Sequence, residues 1–179
     1  ARESRPQPQP KATNYLRAYD LETGMTRGQA GGPIGTSITG GLVNPLTGMY
    51  FLGAPLVMGD RIYAVAESDQ GIFLLQLRAT PLYAGELSEA DMQPVWSQLL
   101  SIPRHPLRAH PLRKYAGIIP SFGRGLLICN TCDEQIIAMS AEDHAVRWIY
   151  RYPSNVTVPE MNPNIAVIGS VMDLRESDA

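Results

Sequence analysis

From Ile118 to Tyr152 the sequence reads IIPSFGRGLLICNTCDEQIIAMSAEDHAVRWIYRY, a series of apolar runs too short for helices. Leu126 to Cys129, Ile136 to Met139 and Trp148 to Tyr152 follow a shorter run near Ile119. Turn formers separate them: Gly123 and Gly125, then Asn130 to Glu134, then Ala141 to His144. Apolar runs of roughly 4–8 residues between such clusters are antiparallel strands. Four strands within about 35–45 residues make one β-propeller blade.

The same pattern occurs upstream. Residues 49–102 read as another blade with an insertion at 78–94. Pro55 to Val57 is its first strand and Gly59-Asp60 a hairpin turn. Arg61 to Glu67 alternates, with Ile62, Ala64 and Ala66 opposite Tyr63 and Val65. Ile72 to Leu77 and Val95 to Leu100 complete it, and the LSEADM segment of the insertion reads as a short helix capped by Ser88. Before this blade, Tyr15 to Tyr19 is a strand and Asp20 to Gly24 a turn. Residues 14–48 therefore read as the end of one blade followed by a Gly-rich loop from Gly28 to Gly48. Residues 1–13, with Pro6, Pro8 and Pro10 among glutamines, form a flexible arm or linker. Residues 103–117 are a basic inter-blade linker, 118–153 the blade described first, and 154–179 a loop and the start of a further blade, with the run IAVIGSVM as its strand.

Bulk properties exclude some classes of function. A formal charge of −2 over 179 residues does not suit a dedicated nucleic-acid binder, which needs a positive field to displace counterions. No apolar run approaches the ~18 residues of a membrane-spanning helix. Two cysteines are too few for a disulfide framework. A chain that begins with Ala1 is expected to be a processed product or a portion of something longer.

Two segments superpose without a gap. Ala18 to Gly28 (AYDLETGMTRG) matches Ala138 to Trp148 (AMSAEDHAVRW). The blade cores match as well: PLVMGDRIYAVAESDQGIFLLQL runs beside PSFGRGLLICNTCDEQIIAMS. Trp96 is then the counterpart of Trp148, displaced by the insertion. A large flat side chain on an outer strand can dock on the neighbouring blade and seal the seam between sheets. The pattern Ala-x-Asp-x-x-Thr-Gly followed by Trp resembles the docking motif of PQQ-like (quinoprotein-like) β-propeller repeat proteins. Ala18, Asp20, Thr23 and Gly24 match it, and Gly28 stands in place of the Trp. The other copy keeps Ala138 and Trp148 but carries Ser140, Asp143 and His144 at the Asp, Thr and Gly positions. YFLGAPLVMGDRIYAVAE and HPLRKYAGIIPSFGRGLLICNT are similar to segments of large bacterial PQQ-like repeat proteins of uncertain role. The resemblance spans roughly residues 14–152 and implies an all-β fold of four-stranded blades. It implies a longer propeller too, completed by other segments or subunits, because 179 residues hold fewer blades than the family usually shows.

The candidate chemistry is sparse. Cys129 and Cys132 form a CxxC pair that reads as structural cysteines, a local disulfide or half of a metal site. Haem attachment needs a His next, and Asp133 stands there. Residues 104–114 concentrate Arg104, His105, Arg108, His110, Arg113 and Lys114, a set able to grip an acidic partner, a phosphate or a carboxylate, with Arg113-Lys114 the first choice. Otherwise they form a solvated linker. Glu160, Asn162 and Asn164 alternate like calcium ligands, but Ile165 takes the place of the glycine such a loop needs, so a turn is expected. Asn155-Val156-Thr157 fits a glycosylation acceptor. Arg147, Trp148, Tyr150, Arg151 and Tyr152 read as a sheet face packed on the next blade. No catalytic residue, cofactor or metal site is expected. The reading is a non-catalytic extracytoplasmic propeller portion, periplasmic in a bacterial cell, that serves as a protein-interaction or assembly scaffold of the BamB kind. Its alternatives are a portion of a PQQ-dependent dehydrogenase, or a structural subunit of a large envelope-associated complex. The dehydrogenase would carry two adjacent cysteines near its cofactor, and this chain has a CxxC instead.

Overall fold

The computed structural model describes residues 13–34, 46–78 and 94–152. Apart from one short 3-10 helix, the regular elements there are β-strands in antiparallel sheets. Residues 1–12 of the expected arm, residues 79–93 of the expected 78–94 insertion, most of the Gly-rich loop, and everything from residue 153 lie outside the described residues, while Arg78 and Pro94, expected in the insertion, belong to strands. That includes the acceptor at Asn155, the alternating Glu160, Asn162 and Asn164, and the run IAVIGSVM.

The first unit is a hairpin of β1 (Tyr15–Tyr19) and β2 (Thr26–Gly31). Gly28 to Gly31, read from the sequence as loop, belongs to β2. Glycine lowers strand propensity, but pairing with β1 along the hairpin supplies the backbone hydrogen bonds that these residues would otherwise lack.

The second unit comprises β3 (Tyr50–Phe51), β4 (Leu56–Met58), β5 (Arg61–Ser68), β6 (Gly71–Arg78) and β7 (Pro94–Ser101). β3 and β4 share one edge of β5, pairing with its C-terminal and N-terminal ends respectively. The sheet thus has four strand positions, which run in chain order from one edge to the other. The third unit, β8 (Ser121–Gly123), β9 (Leu126–Asn130), β10 (Gln135–Ser140) and β11 (Val146–Arg151), is a four-stranded meander of the same order. Both larger sheets are open at their edges and have the four-stranded meander form of propeller blades. Within the third, Arg124 and Gly125 close a two-residue hairpin at φ 50° and 77°, the left-handed pair that the twist of two strands requires.

Pairing registers establish the repeat. Ala18 faces Gly28, Ala138 faces Trp148 and Gln76 faces Trp96. In each case a bulge follows immediately, after Ala18, Ala138 and Gln76. β1 and β2 therefore correspond to the third and fourth strands of a blade.

The turns agree atom by atom. The Glu22 and Thr23 amides donate to Asp20 Oδ1 at 3.0 and 2.8 Å, and the Glu142 and Asp143 amides donate to Ser140 Oγ at 3.3 Å each. Gly24 N donates to Asp20 O at 2.9 Å, and His144 N to Ser140 O at 3.0 Å. Gly24 sits at φ 69° and His144 at φ 58°. The second copy lost the Asp, Thr and Gly of the motif while keeping the turn they build.

The core lies on both sides of the second sheet. Tyr63, Val65, Ile72 and Leu74 pack with Leu127, Cys129, Ile137 and Met139 of the third sheet. Ala64, Ala66, Leu75 and Leu77 pack with Ala30 of β2, Leu46 and Phe51. The alternation of β5 therefore separates two buried faces, not a wet face from a dry one. Ala64 and Ala66 serve the face toward β1 and β2, and Tyr63 and Val65 fill the seam with the third sheet.

Candidate interaction surface at the blade seam and linker

The seam between the second and third sheets is tied at both ends by polar contacts. At one end Trp96 of β7 stacks on His144, with ring centroids 4.0 Å apart and 17° between planes. His144 Nε2–H donates to Gln76 Oε1 at 3.0 Å, and Arg61 Nη1 donates to Ala141 O at 3.4 Å. A non-glycine residue in the left-handed region costs roughly 1 kcal/mol. Here that conformation carries the imidazole onto the indole, and stacked aromatic pairs return about 0.5–1.5 kcal/mol. Burial is the main cause that lowers the His144 pKa below its ordinary value, and the nearby Arg61 charge adds to it while Asp143 opposes.

At the other end, Ser101 Oγ donates to Asp133 Oδ2 at 2.5 Å and Gln135 Nε2 donates to Ser101 Oγ at 3.4 Å. Arg104 and Glu134 make a loose, exposed pair at 3.9 Å. Asp133, the residue that breaks a haem-attachment reading of the CxxC, is thus spent on fastening one sheet to the other.

The linker between the sheets is not a solvated strap. Its backbone turns tightly: Ala109 N donates to Pro106 O, His110 N to Leu107 O, Arg113 N to His110 O and Ala116 N to Arg113 O. The last of these lies in the 3-10 helix, Pro111–Tyr115, with Pro at its start, where no amide donor is needed. The next residues are stitched to the second sheet, since Ile118 N donates to Leu52 O at 3.0 Å and Leu52 N to Val65 O at 2.9 Å. Contact there is so close that a Cβ on Gly53 would lie 2.1 Å from Ile118 O.

Arg113, the first-choice contact residue, is turned inward. Its Nε donates to Glu67 Oε2 at 2.7 Å, and its Nη2 to Glu67 Oε1 at 2.8 Å and to His105 O at 2.6 Å. The two side chains are 4% and 2% exposed. A guanidinium this deep requires a carboxylate in bidentate geometry, and Glu67, at the end of β5, supplies it. Arg104 and Arg108 remain exposed, and Lys114 Nζ lies 5.8 Å from the centroid of the Tyr50 ring. His105 is exposed and His110 half-buried, its Nδ1 without a hydrogen-bond partner among the described residues.

Cys129 and Cys132 are free thiols, so the local disulfide reading does not describe this structure. Cys129 points into the shared core, where burial pushes its thiol up to about 12. Cys132, at φ 50°, lies half-buried, and burial raises its pKa against the opposing pull of Arg113. Among the described residues no group of three His, Cys, Asp or Glu side chains is placed to hold a metal ion. Trp148, at the register position of Trp96, is 43% exposed on β11, whose residues are exposed throughout. Gln76, Ser101, Asp133 and His144 serve the seam and Glu67 anchors the linker, and the sequence marked none of them as a contact. The one available sign was His144 at the glycine position of the turn.

No helix among the described residues is long and apolar enough to cross a membrane. No family model matches the sequence, and no curated protein matches it. Among solved structures, the chain is similar to BamB from Moraxella catarrhalis, with 12% identity and a TM-score of 0.30. The match covers 78% of this chain and 47% of that one, so the chain spans about half the length of the structure it matches. The fold assignment rests on the two four-position antiparallel meanders themselves.

Proposed function

We propose that the chain is a non-catalytic β-propeller portion that serves as a protein-interaction or assembly scaffold. The observation that carries this reading is the rigid seam. Two blades share one core and are fastened at both ends. Rigid stacked sheets hold their loops and outer strands in fixed relative positions, which suits binding more than any motion would. The β1–β2 hairpin, built like the outer half of a blade, favours completion of the propeller by other segments or subunits. The proposed setting is the periplasm or another extracytoplasmic compartment of a bacterial cell, on the strength of the PQQ-like repeat motif.

The test is in-cell cross-linking of the tagged chain, followed by mass spectrometry of linked peptides. Reproducible cross-links from its loops or outer strands to one defined set of proteins support the scaffold reading. Calcium-dependent dye reduction with an alcohol or sugar after addition of PQQ would replace it with the dehydrogenase reading.

A further inference from the structure

We propose that the 3-10 helix Pro111–Tyr115, with the turn before it, is a docking face for an acidic, amphipathic segment of a partner protein. The proposal names the partner chemistry of the scaffold reading and rests on it. A 3-10 helix has three residues per turn, so side chains at i and i+3 eclipse. Leu112 and Tyr115 therefore stand side by side, and they are 65% and 82% exposed. Between them, Arg113 points the opposite way into its bidentate contact with Glu67. The two apolar side chains are thus held in water on a base that is bolted to the sheet. Such preorganisation lowers the ordering cost of binding.

Charge decides what kind of partner fits. Residues 102–119 contain Arg104, Arg108, Arg113 and Lys114 and no Asp or Glu. Glu67 cancels Arg113, while the exposed 3.9 Å contact of Arg104 with Glu134 holds little. Arg108 and Lys114 thus accompany the apolar pair, on a segment that turn bonds between Pro106 and Ala116 hold compact. The complement of this face is an apolar anchor flanked by carboxylates. A polyanion such as nucleic acid would satisfy the cations but leave Leu112 and Tyr115 in water.

The test is fluorescence anisotropy with the full chain and a labelled Asp/Glu-rich peptide carrying a central Leu-Phe anchor. Its controls are the same peptide with Asn/Gln for Asp/Glu, the same peptide with Ser for the anchor, and a single-stranded oligonucleotide. The expected result is binding of the acidic peptide that weakens with salt. The double substitutions Leu112→Ser/Tyr115→Ser and Arg108→Glu/Lys114→Glu should each cost roughly tenfold or more, equivalent to about 1.4 kcal/mol. Leu112, Tyr115 and Arg108 are exposed and Lys114 is half-buried beside the Tyr50 ring, so unchanged thermal melts of both double variants verify that the fold is intact. Absent binding, equal binding of either control peptide, indifference to both double substitutions, or preference for the oligonucleotide would overturn the proposal. If cross-linking finds a partner on another face while the peptide does not bind, this face is refuted and the scaffold reading stands.

Discussion

Removing Arg113 while leaving Glu67 in place should be among the most damaging single substitutions in the chain. The Glu67 side chain is 2% exposed and accepts two hydrogen bonds from the guanidinium, at 2.7 and 2.8 Å. Arg113→Ala strands that carboxylate in the interior and leaves the His105 carbonyl without its donor. Breaking a buried pair from one side costs about 3–5 kcal/mol, because the remaining charge stays desolvated and uncompensated. For a chain of this length each kcal/mol lowers Tm by about 2–4 °C, so the expected loss is roughly 6–20 °C. An exposed pair would cost about 0–1 kcal/mol and barely move Tm. The assay is a double-mutant cycle by urea denaturation with Arg113→Ala, Glu67→Ala and the double variant. The expected coupling is large and favourable, so the double variant should lose much less than the sum of the two single losses. A single-variant loss under about 1 kcal/mol, or strict additivity, would refute the claim that the linker is anchored through this pair.

Thiol reactivity should separate the two cysteines: at pH 8, Cys132 is alkylated in the native chain while Cys129, held up to about 12, reacts only on unfolding, as peptide mass spectrometry would record. Cys129→Ser should destabilise by about 1–3 kcal/mol in denaturant melts, through a buried hydroxyl with no partner, whereas Cys129→Ala should cost less than Cys129→Ser. Gly53→Ala should cost about 1–3 kcal/mol and speed amide exchange in the 111–118 segment, because the new methyl meets the Ile118 backbone. The folded pKa of His144 lies below its unfolded value of 6.5, so the fold favours the neutral ring. The stability this contributes is complete above pH 6.5 and is lost as pH falls through the lowered folded value. His144→Gln should flatten that part of the pH profile of Tm.

Most strands were legible because the short apolar runs and their turn residues are local signals. Gly59-Asp60, Arg124-Gly125 and the Asp20–Gly24 turn each announce a reversal without help from the rest of the chain. Strand β2 was not legible: in TRGQAG the pattern is weak, and only its pairing with β1 makes it a strand. The role of Arg113 was hidden for a related reason. Its partner lies 46 residues earlier in the chain, and a basic run looks the same in sequence whether a member faces water or a buried carboxylate. The repeat alignment located Trp96 and Trp148, but no local pattern indicates that His144 replaces glycine in order to reach the indole.

The account depends most on the two blades meeting through Trp96 and His144, and a ring-proton NMR titration of His144 in native and Trp96→Leu chains tests it directly. In the native chain the His144 ring protons should be shifted upfield by the stacked indole and titrate below pH 6.5; in Trp96→Leu they should move toward unfolded-chain positions. Ring shifts already at unfolded-chain positions, and unchanged by the substitution, would contradict the seam.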